Sequence, residues 1–264
     1  MKRGGFWVWL WFGLGWLYFV VPLIGTFLFS LRAKKGVLSF LAYESVFNDP
    51  KFWETFSFSA LMATFTIMVS LLLIVPTAYW VQLRLPHLRP LIELMTLLPI
   101  VIPTIVLVFG LIRAYSRPPL ALTGSAFTTN ILLIGGYTVL SFPYMYRSVS
   151  NGLRAIDVRT LTEAAQSLGA GWPTILFQVI FPNVRVALLS GAFLTFAIVM
   201  GEYVLAAFLA RPAFAPYLVL TGQAKAYEPA AMTVISFSLT WVCIGVIQLV
   251  SQGRQGQEQL AGPH

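Results

Sequence analysis

The chain has 264 residues, of which 58% are hydrophobic and only 10% are charged. A soluble domain is usually about one-quarter charged, so this composition excludes an ordinary soluble protein, because too few polar residues remain to cover the apolar ones. The net charge of +8 does not indicate a nucleic-acid partner, since cations that flank apolar segments contact phospholipid headgroups.

Six apolar segments are long enough to cross a membrane. A bilayer core of roughly 30 Å is spanned by about 20 apolar residues in a helix. We therefore expect an all-α polytopic membrane protein with about six transmembrane helices, and a single transmembrane domain covering residues 1–264. The predicted spans are 6–31, 56–83, 94–112, 128–146, 186–210 and 230–251.

The first span is predicted to stay attached rather than to be removed as a signal peptide. A signal peptide has an apolar region of roughly 7–15 residues that ends in small residues. The run 6–31 is longer, and residues 31–35 (LRAKK) make a poor cleavage site.

Prolines interrupt the middle spans, at Pro76, Pro99, Pro103 and Pro143. Each proline removes a backbone hydrogen bond and kinks its helix, so the pattern favours a bundle that rearranges over a set of simple anchors.

The longest and least apolar connection runs from Arg147 to Arg185 and contains the segment TLTEAAQSLGAGWPTILFQVIFP, residues 160–182. Thr160 and Glu163 have the spacing of a capping box, which predicts a short helix over 161–168. Gly169 is a natural residue to end that helix.

A second helix is predicted in the same segment, over 174–181. Trp172-Pro173 are predicted to begin this helix after the turn, with Pro173 near the first helical position. Pro182 then leads to the fifth span. The pattern indicates a short helix, a tight turn and another helix at the membrane surface.

The first of these helices is too short and too poor in charge to persist alone in water. Its small and apolar residues, Leu161, Ala164, Ala165 and Leu168, share one face at helical spacing and favour a groove on a partner. The alternative is an amphipathic helix lying on lipid, which the scarcity of basic residues disfavours.

The segment resembles the EAA loop of ABC importer permeases. Glu163-Ala164-Ala165, then Gly169 after three residues, then Val179-Ile180-Phe181-Pro182 after nine more follow that pattern, with Val179 for Ile and Phe181 for Leu as the departures. The resemblance implies that this loop couples the permease to an ATPase through Glu163, Ala164, Ala165, Gly169 and Pro182.

Within that family the chain resembles most the permeases of spermidine/putrescine-type importers, through residues 56–115, Gly201-Glu202-Tyr203 and 216–228. The resemblance implies a subunit that forms half of the substrate pathway of an ATP-driven importer. A polyamine is the first substrate expected. Oxyanions, ferric iron, phosphonates and thiamine remain alternatives.

The same resemblance implies the partners and the location. We expect two ABC ATPase subunits, a second permease that is identical or homologous, an extracytoplasmic substrate-binding protein and the lipid bilayer, but no nucleic acid. The expected location is the bacterial inner membrane, with the loop and both termini in the cytoplasm. Charge alone does not decide this orientation, because the cations divide almost equally between the two sides.

No catalytic residues, cofactor or metal site are expected. The chain has no P-loop sequence, so ATP hydrolysis would belong to a partner chain and the protein is predicted not to be an enzyme. Cys243 is the single cysteine, and His87 and His264 are far apart, so no Cys/His cluster has metal-ligand spacing.

Glu202 and Tyr203 are the candidate residues of the substrate pathway. An ionisable group inside a span usually faces a cavity or a partner, and a carboxylate beside a tyrosine can hold a cationic amine. The alternative for Glu202 is a structural hydrogen bond. An ion-coupled secondary transporter, which would carry more intramembrane charges, and a membrane-embedded enzyme are the competing classes.

Overall fold

The computed structural model describes residues 4–258, and the side chains of 4–6, 243 and 246–258 lie outside that description. The described residues form helices joined by loops and short 3₁₀ turns at Leu31–Ala33 and Pro86–Leu88, which confirms the all-α fold. The helices are α1 Gly4–Ser30, α2 Leu41–Phe47, α3 Pro50–Leu83, α4 Arg89–Val101, α5 Thr104–Tyr115, α6 Ala126–Arg154, α7 Val158–Ser167, α8 Trp172–Gly201, α9 Val204–Phe208, α10 Phe214–Ala224 and α11 Tyr227–Glu258.

Four described helices are long and apolar enough to cross a membrane: Trp7–Ala33, Pro50–Leu83, Ala126–Arg154 and Trp172–Gly201. The bent pair Pro86–Val101 and Thr104–Tyr115 makes a fifth if it is one span. The predicted sixth span, 230–251, falls within α11, but several of its side chains lie outside the described part. The count of six therefore stays a prediction.

The third predicted span, 94–112, is not one straight helix. The chain bends by 98° between α4 and α5. Ile102 is extended, with φ −82° and ψ 120°, because the ring of Pro103 disfavours the helical conformation at the residue before it. The prolines predict a kink here, whereas in the structure one helix ends and another begins.

The fifth predicted span, 186–210, is also displaced. Helix α8 begins at Trp172 and ends at Gly201, where Glu202 adopts an extended conformation before the short helix α9. The membrane-length helix thus starts inside the 160–182 segment, which the sequence predicts to lie at the membrane surface.

The chain divides into two compact units. One runs up to Glu54 and resumes over Pro216–Val242, and the other comprises Thr55–Ala215 with the described residues that follow Val242. In the first unit, the Tyr217 hydroxyl donates to Asp49 Oδ2 at 2.6 Å, and the rings of Phe29 and Tyr227 lie 5.1 Å apart.

In the second unit, α6 packs closely on α8 where glycines leave room. A Cβ at Gly152 would collide with Ala187 Cβ, and one at Gly191 would lie 2.7 Å from Met145 Sδ. Small residues at such contacts let two membrane helices approach closely.

The buried core beside this contact positions the 160–182 segment. Its buried side chains come from α3, α6, α7 and α8 together, so helix α7 rests on the ends of three long helices. The cluster contains Ile74, Val75, Ala78, Tyr79, Met145, Tyr146, Val149, Leu153, Val158, Ala165, Ile175, Ile180, Val184 and Leu188.

Candidate functional site

Helix α7 begins three residues before the predicted start. Asp157, not Thr160, is the N-cap: Asp157 Oδ1 accepts from the Thr160 amide at 3.1 Å and Oδ2 accepts from the Thr160 hydroxyl at 2.7 Å. These hydrogen bonds lower the pKa of Asp157. The predicted capping box of Thr160 and Glu163 is wrong because Asp157, three residues earlier, caps the helix and Thr160 lies inside it.

Glu163 pairs with a neighbour on its own helix. Its Oε1 accepts from Arg159 Nε at 2.8 Å, one turn back, and both side chains are well exposed. An exposed pair of this kind contributes little to folding. The carboxylate of Glu163 is therefore oriented by Arg159 while it stays accessible from outside the chain.

Gly169 ends the helix as the sequence predicts. It has φ +80°, a conformation that glycine adopts without strain. The Gly169 amide donates to the Gln166 carbonyl at 2.9 Å and the Ala170 amide donates to the Ala165 carbonyl at 3.0 Å. This pair of bonds is the Schellman motif, which reverses the chain directly after Leu168.

The inner face of α7 is fixed to α3. The Tyr79 and Thr162 hydroxyls are buried and 2.8 Å apart. Because Thr162 donates its own proton to the Val158 carbonyl at 2.6 Å, Tyr79 is the donor between them. Beyond the turn, the Trp172 ring lies 4.8 Å from the Trp80 ring. A hydroxyl contact and an aromatic contact thus hold both arms of the turn against the same helix.

The predicted docking face is divided between the inside and the outside of the chain. Ala165 is buried in the core and Leu161 is partly buried against it, whereas Ala164 is exposed and Leu168 is 89% exposed. The helix is rotated so that half of the expected face packs on its own chain. Of the motif residues, Glu163, Ala164 and Gly169 stay exposed together with Leu168 and are free to contact a partner.

The second arm of the segment is continuous with α8. Trp172-Pro173 occupy the first helical positions, and Ile175–Ile180 take π-helical geometry before Pro182. Pro182 has no amide proton, and the nearby Val179 carbonyl accepts from the side-chain amide of Asn183 at 2.8 Å. Pro182 lies in this helix and not on α7, which holds Glu163.

Glu202 and Tyr203 lie at the other end of α8. Thirty residues in a helix extend about 45 Å, so these residues are far from the 160–182 segment. Glu202 Oε1 accepts from the Val204 amide at 2.8 Å and Oε2 accepts from the Leu205 amide at 2.9 Å. Both carboxylate oxygens are therefore used where the helix breaks, and Tyr203 is exposed beside them.

A charged cleft beside the segment was not predicted. Glu93 Oε1 accepts from Arg154 at 2.7 Å and from Arg89 at 2.9 Å, which connects α4 to the end of α6. Arg147, Asn151 and Arg154 follow one another on α6 at intervals of four and three residues. In the sequence, this spacing at the end of an apolar span indicates that the three side chains share one polar face of a helix.

Among the described residues, no group of three or more His, Cys, Asp or Glu side chains could hold a metal ion.

Residues 74–256, more than half of the chain, match the family described as binding-protein-dependent transport system inner membrane component. The matched range contains α6, α7 and α8 entirely, and hence the whole 160–182 segment.

Individual relatives are more distant. The probable ABC transporter permease protein y4fN of Sinorhizobium fredii is 32% identical over 45% of this chain, but the match spans only 21% of that relative. The probable molybdenum ABC transporter permease protein of Haloferax volcanii is 28% identical over 73% of this chain and 72% of its own length. The molybdate/tungstate transport system permease protein WtpB of Pyrococcus abyssi is 27% identical over 69% and 67%.

Solved structures share the fold. A bacterial ABC transporter that imports the acidic polysaccharide alginate matches with a TM-score of 0.69 at 14% identity, over 94% of each chain. An amino acid ABC transporter matches with a TM-score of 0.54 at 16% identity, over 82% of this chain and 99% of its own.

Proposed function

Since the chain belongs to the binding-protein-dependent transport system inner membrane component family and is a non-enzymatic permease subunit of an ABC importer, we propose that it carries an oxyanion of the molybdate and tungstate class. Its partners in the membrane complex include an ATPase and a substrate-binding protein. The exposed surface of α7 docks on the ATPase.

The names of the relatives support an oxyanion. The Haloferax and Pyrococcus proteins, named for molybdenum and for molybdate/tungstate, each align with about seven-tenths of this chain. The molybdenum transport system permease protein ModB of Escherichia coli is 37% identical over 65 residues. The polyamine expected from the sequence has no such support. The oxyanion alternative therefore replaces it.

The coupling role rests on one observation, the two-sided helix α7. Its inner face is anchored to α3 by Tyr79 and Thr162, whereas Leu168 at its tip is 89% exposed. The apolar surface of an exposed leucine beside a helix-ending glycine is removed from water only when a partner covers it. An anchored helix with such a tip can transmit a displacement of its partner to α3 and α8.

This role fixes the orientation that we propose. The 160–182 segment faces the cytoplasm, where the ATPase lies, and both termini are on the same side if six spans are present. The complex has two ATPases and a second permease, identical or homologous, in the bacterial inner membrane.

The proposed pathway residues at the far end of α8 have different roles. Glu202 caps the break before α9 with both oxygens, which supports the structural alternative, and a free carboxylate would repel an oxyanion. Tyr203 remains the candidate for substrate contact at this end.

Reconstitution with the cognate ATPase and binding protein in proteoliposomes tests the function. We expect ATP-dependent uptake of labelled molybdate that excess tungstate inhibits and excess spermidine does not. ATP-dependent spermidine uptake without molybdate uptake would disprove the oxyanion assignment, and molybdate uptake that needs no ATP would disprove the coupling.

A further inference from the structure

Two adjoining cavities open between α4, α6 and α8, near the end of α6 that leads into α7. The larger has a volume of about 350 Å³ and the smaller about 90 Å³, and they share Leu97, Pro143, Arg147 and Asn151. The smaller cavity is also lined by the Glu93–Arg154 ion pair. Together they form one cleft, called here the Arg147 cleft.

The charge of the cleft is positive. Arg147, Arg154 and Glu93 line it, and Glu93 pairs with Arg154 and with Arg89, which lies outside the lining. The two lining arginines and the one glutamate leave a formal charge of +1, to which the neighbouring Arg89 adds a further positive charge. Among the residues whose side chains the structure describes, no carboxylate pairs with Arg147.

Two donors of the cleft, the side chains of Arg147 and Asn151, are available to a ligand. The Ser148 hydroxyl is not, because it donates to the Ala187 carbonyl at 2.8 Å. The side-chain amide of Asn151, one turn beyond Arg147, makes no hydrogen bond within the described chain, and the Arg147 side chain is exposed. An arginine fork and an amide on the same helix face suit the separated oxygens of a tetrahedral oxyanion.

We propose that Arg147, with Asn151, binds the oxyanion where it leaves the transport route at the α7 end of the membrane. This inference rests on the proposed function and extends it to a specificity-determining residue. The site is open and carries one unpaired cation, so it holds the anion weakly enough to release it, as conduction requires. A polyamine would be repelled by the same charge.

The test compares Arg147→Gln with Arg185→Gln. Arg185 is also an exposed arginine, close to the middle of α8, but it lines neither cavity, so its replacement removes the same charge without touching the cleft. Both variants are reconstituted with the ATPase and binding protein, and molybdate uptake and ATP hydrolysis are measured in parallel.

For Arg147→Gln we expect the ratio of maximal uptake rate to KM for molybdate to fall roughly tenfold, which corresponds to the loss of one charge-assisted hydrogen bond. For Arg185→Gln we expect the same ratio to stay within about twofold of the wild-type ratio. Stimulation of ATP hydrolysis by the loaded binding protein stays intact in both, because the coupling helix is unchanged. Arg147→Lys, which keeps the charge but loses the fork, falls between them. Asn151→Asp, which places a carboxylate one turn from Arg147, loses uptake like Arg147→Gln.

Vesicle composition separates the substrate from a lipid phosphate. The measurements are made in vesicles of phosphatidylcholine alone and in vesicles that also contain phosphatidylglycerol. A loss in both membranes supports the inference. A loss only with the anionic lipid assigns Arg147 to a headgroup and overturns it, as does equal uptake by Arg147→Gln and Arg185→Gln. Wild-type protein that transports no oxyanion overturns the proposed function itself.

Discussion

Gly169 shows how one residue sets the geometry of the 160–182 segment. With φ +80° it lets the chain reverse after Leu168, and a Cβ placed on it would meet nothing within 4 Å. Glycine is therefore required here by the backbone conformation and not by a lack of space for a side chain. Gly171, two residues on, has φ −77° and no such need.

Gly169→Ala should lower transport without removing the protein from the membrane. An alanine in the left-handed region costs roughly 1–2 kcal/mol, which the turn can relieve by moving Leu168. We expect less molybdate transported per ATP hydrolysed, measured in proteoliposomes. Gly171→Ala is the matched control and should behave as wild type. Equal coupling in both variants would show that the turn is not part of the docking surface.

Asp157 gives the start of α7 a dependence on pH. The hydrogen bonds from Thr160 lower its pKa in the folded chain, so the capping contribution is complete above the unfolded value of about 3.9. It is lost as the pH falls through the lower, folded value. We expect hydrogen exchange at the Thr160 amide, corrected for intrinsic rates, to accelerate over that acidic range.

Asp157→Asn supplies the control for this pH effect. Asparagine still caps a helix but has no titrating carboxyl, so its Thr160 amide should exchange without the acidic acceleration. An identical pH profile in the wild type and Asp157→Asn would show that Asp157 does not stabilise the helix start.

At the scale of elements, the membrane helices break at positions where nearby groups accept hydrogen bonds from the backbone amides around the break. The bend between α4 and α5 follows from Pro103, and the Ile102 amide still donates to the Leu98 carbonyl at 3.0 Å. The break between α8 and α9 has no proline, and there Glu202 accepts the free amides of Val204 and Leu205. Such satisfaction is required of irregular backbone at membrane depth.

Substitution of Glu202 separates its two possible roles. Glu202→Gln keeps one oxygen that can accept from the Val204 amide, so we expect near-normal molybdate uptake. Glu202→Ala leaves both amides without an acceptor and should lower the melting temperature of the purified complex, because an unsatisfied amide costs about 1–3 kcal/mol. Uptake abolished by glutamine with an unchanged melting temperature would instead assign the charge of Glu202 to the transport route.

For the molecule as a whole, the proposed orientation is the premise on which coupling depends. After Cys243→Ser removes the one native cysteine, Ser167→Cys reports on the α7 tip and Arg117→Cys on the connection between α5 and α6. We expect a membrane-impermeant maleimide to label Ser167→Cys only in inside-out vesicles and Arg117→Cys only in right-side-out ones. The reverse pattern would place α7 outside the cell and exclude contact with an ATPase.

The sequence by itself determined the all-α membrane fold, the family and the turn at Gly169. Lipid-length apolar runs, the EAA spacing and a glycine after a short helix are local properties that need no knowledge of the fold. Only the tertiary structure decided which face of α7 stays free, because Ala165 and Leu168 are both apolar and only packing against α3 distinguishes them. The Arg147 cleft likewise depends on α4 approaching α6, where Glu93 reaches two arginines and leaves a third unpaired.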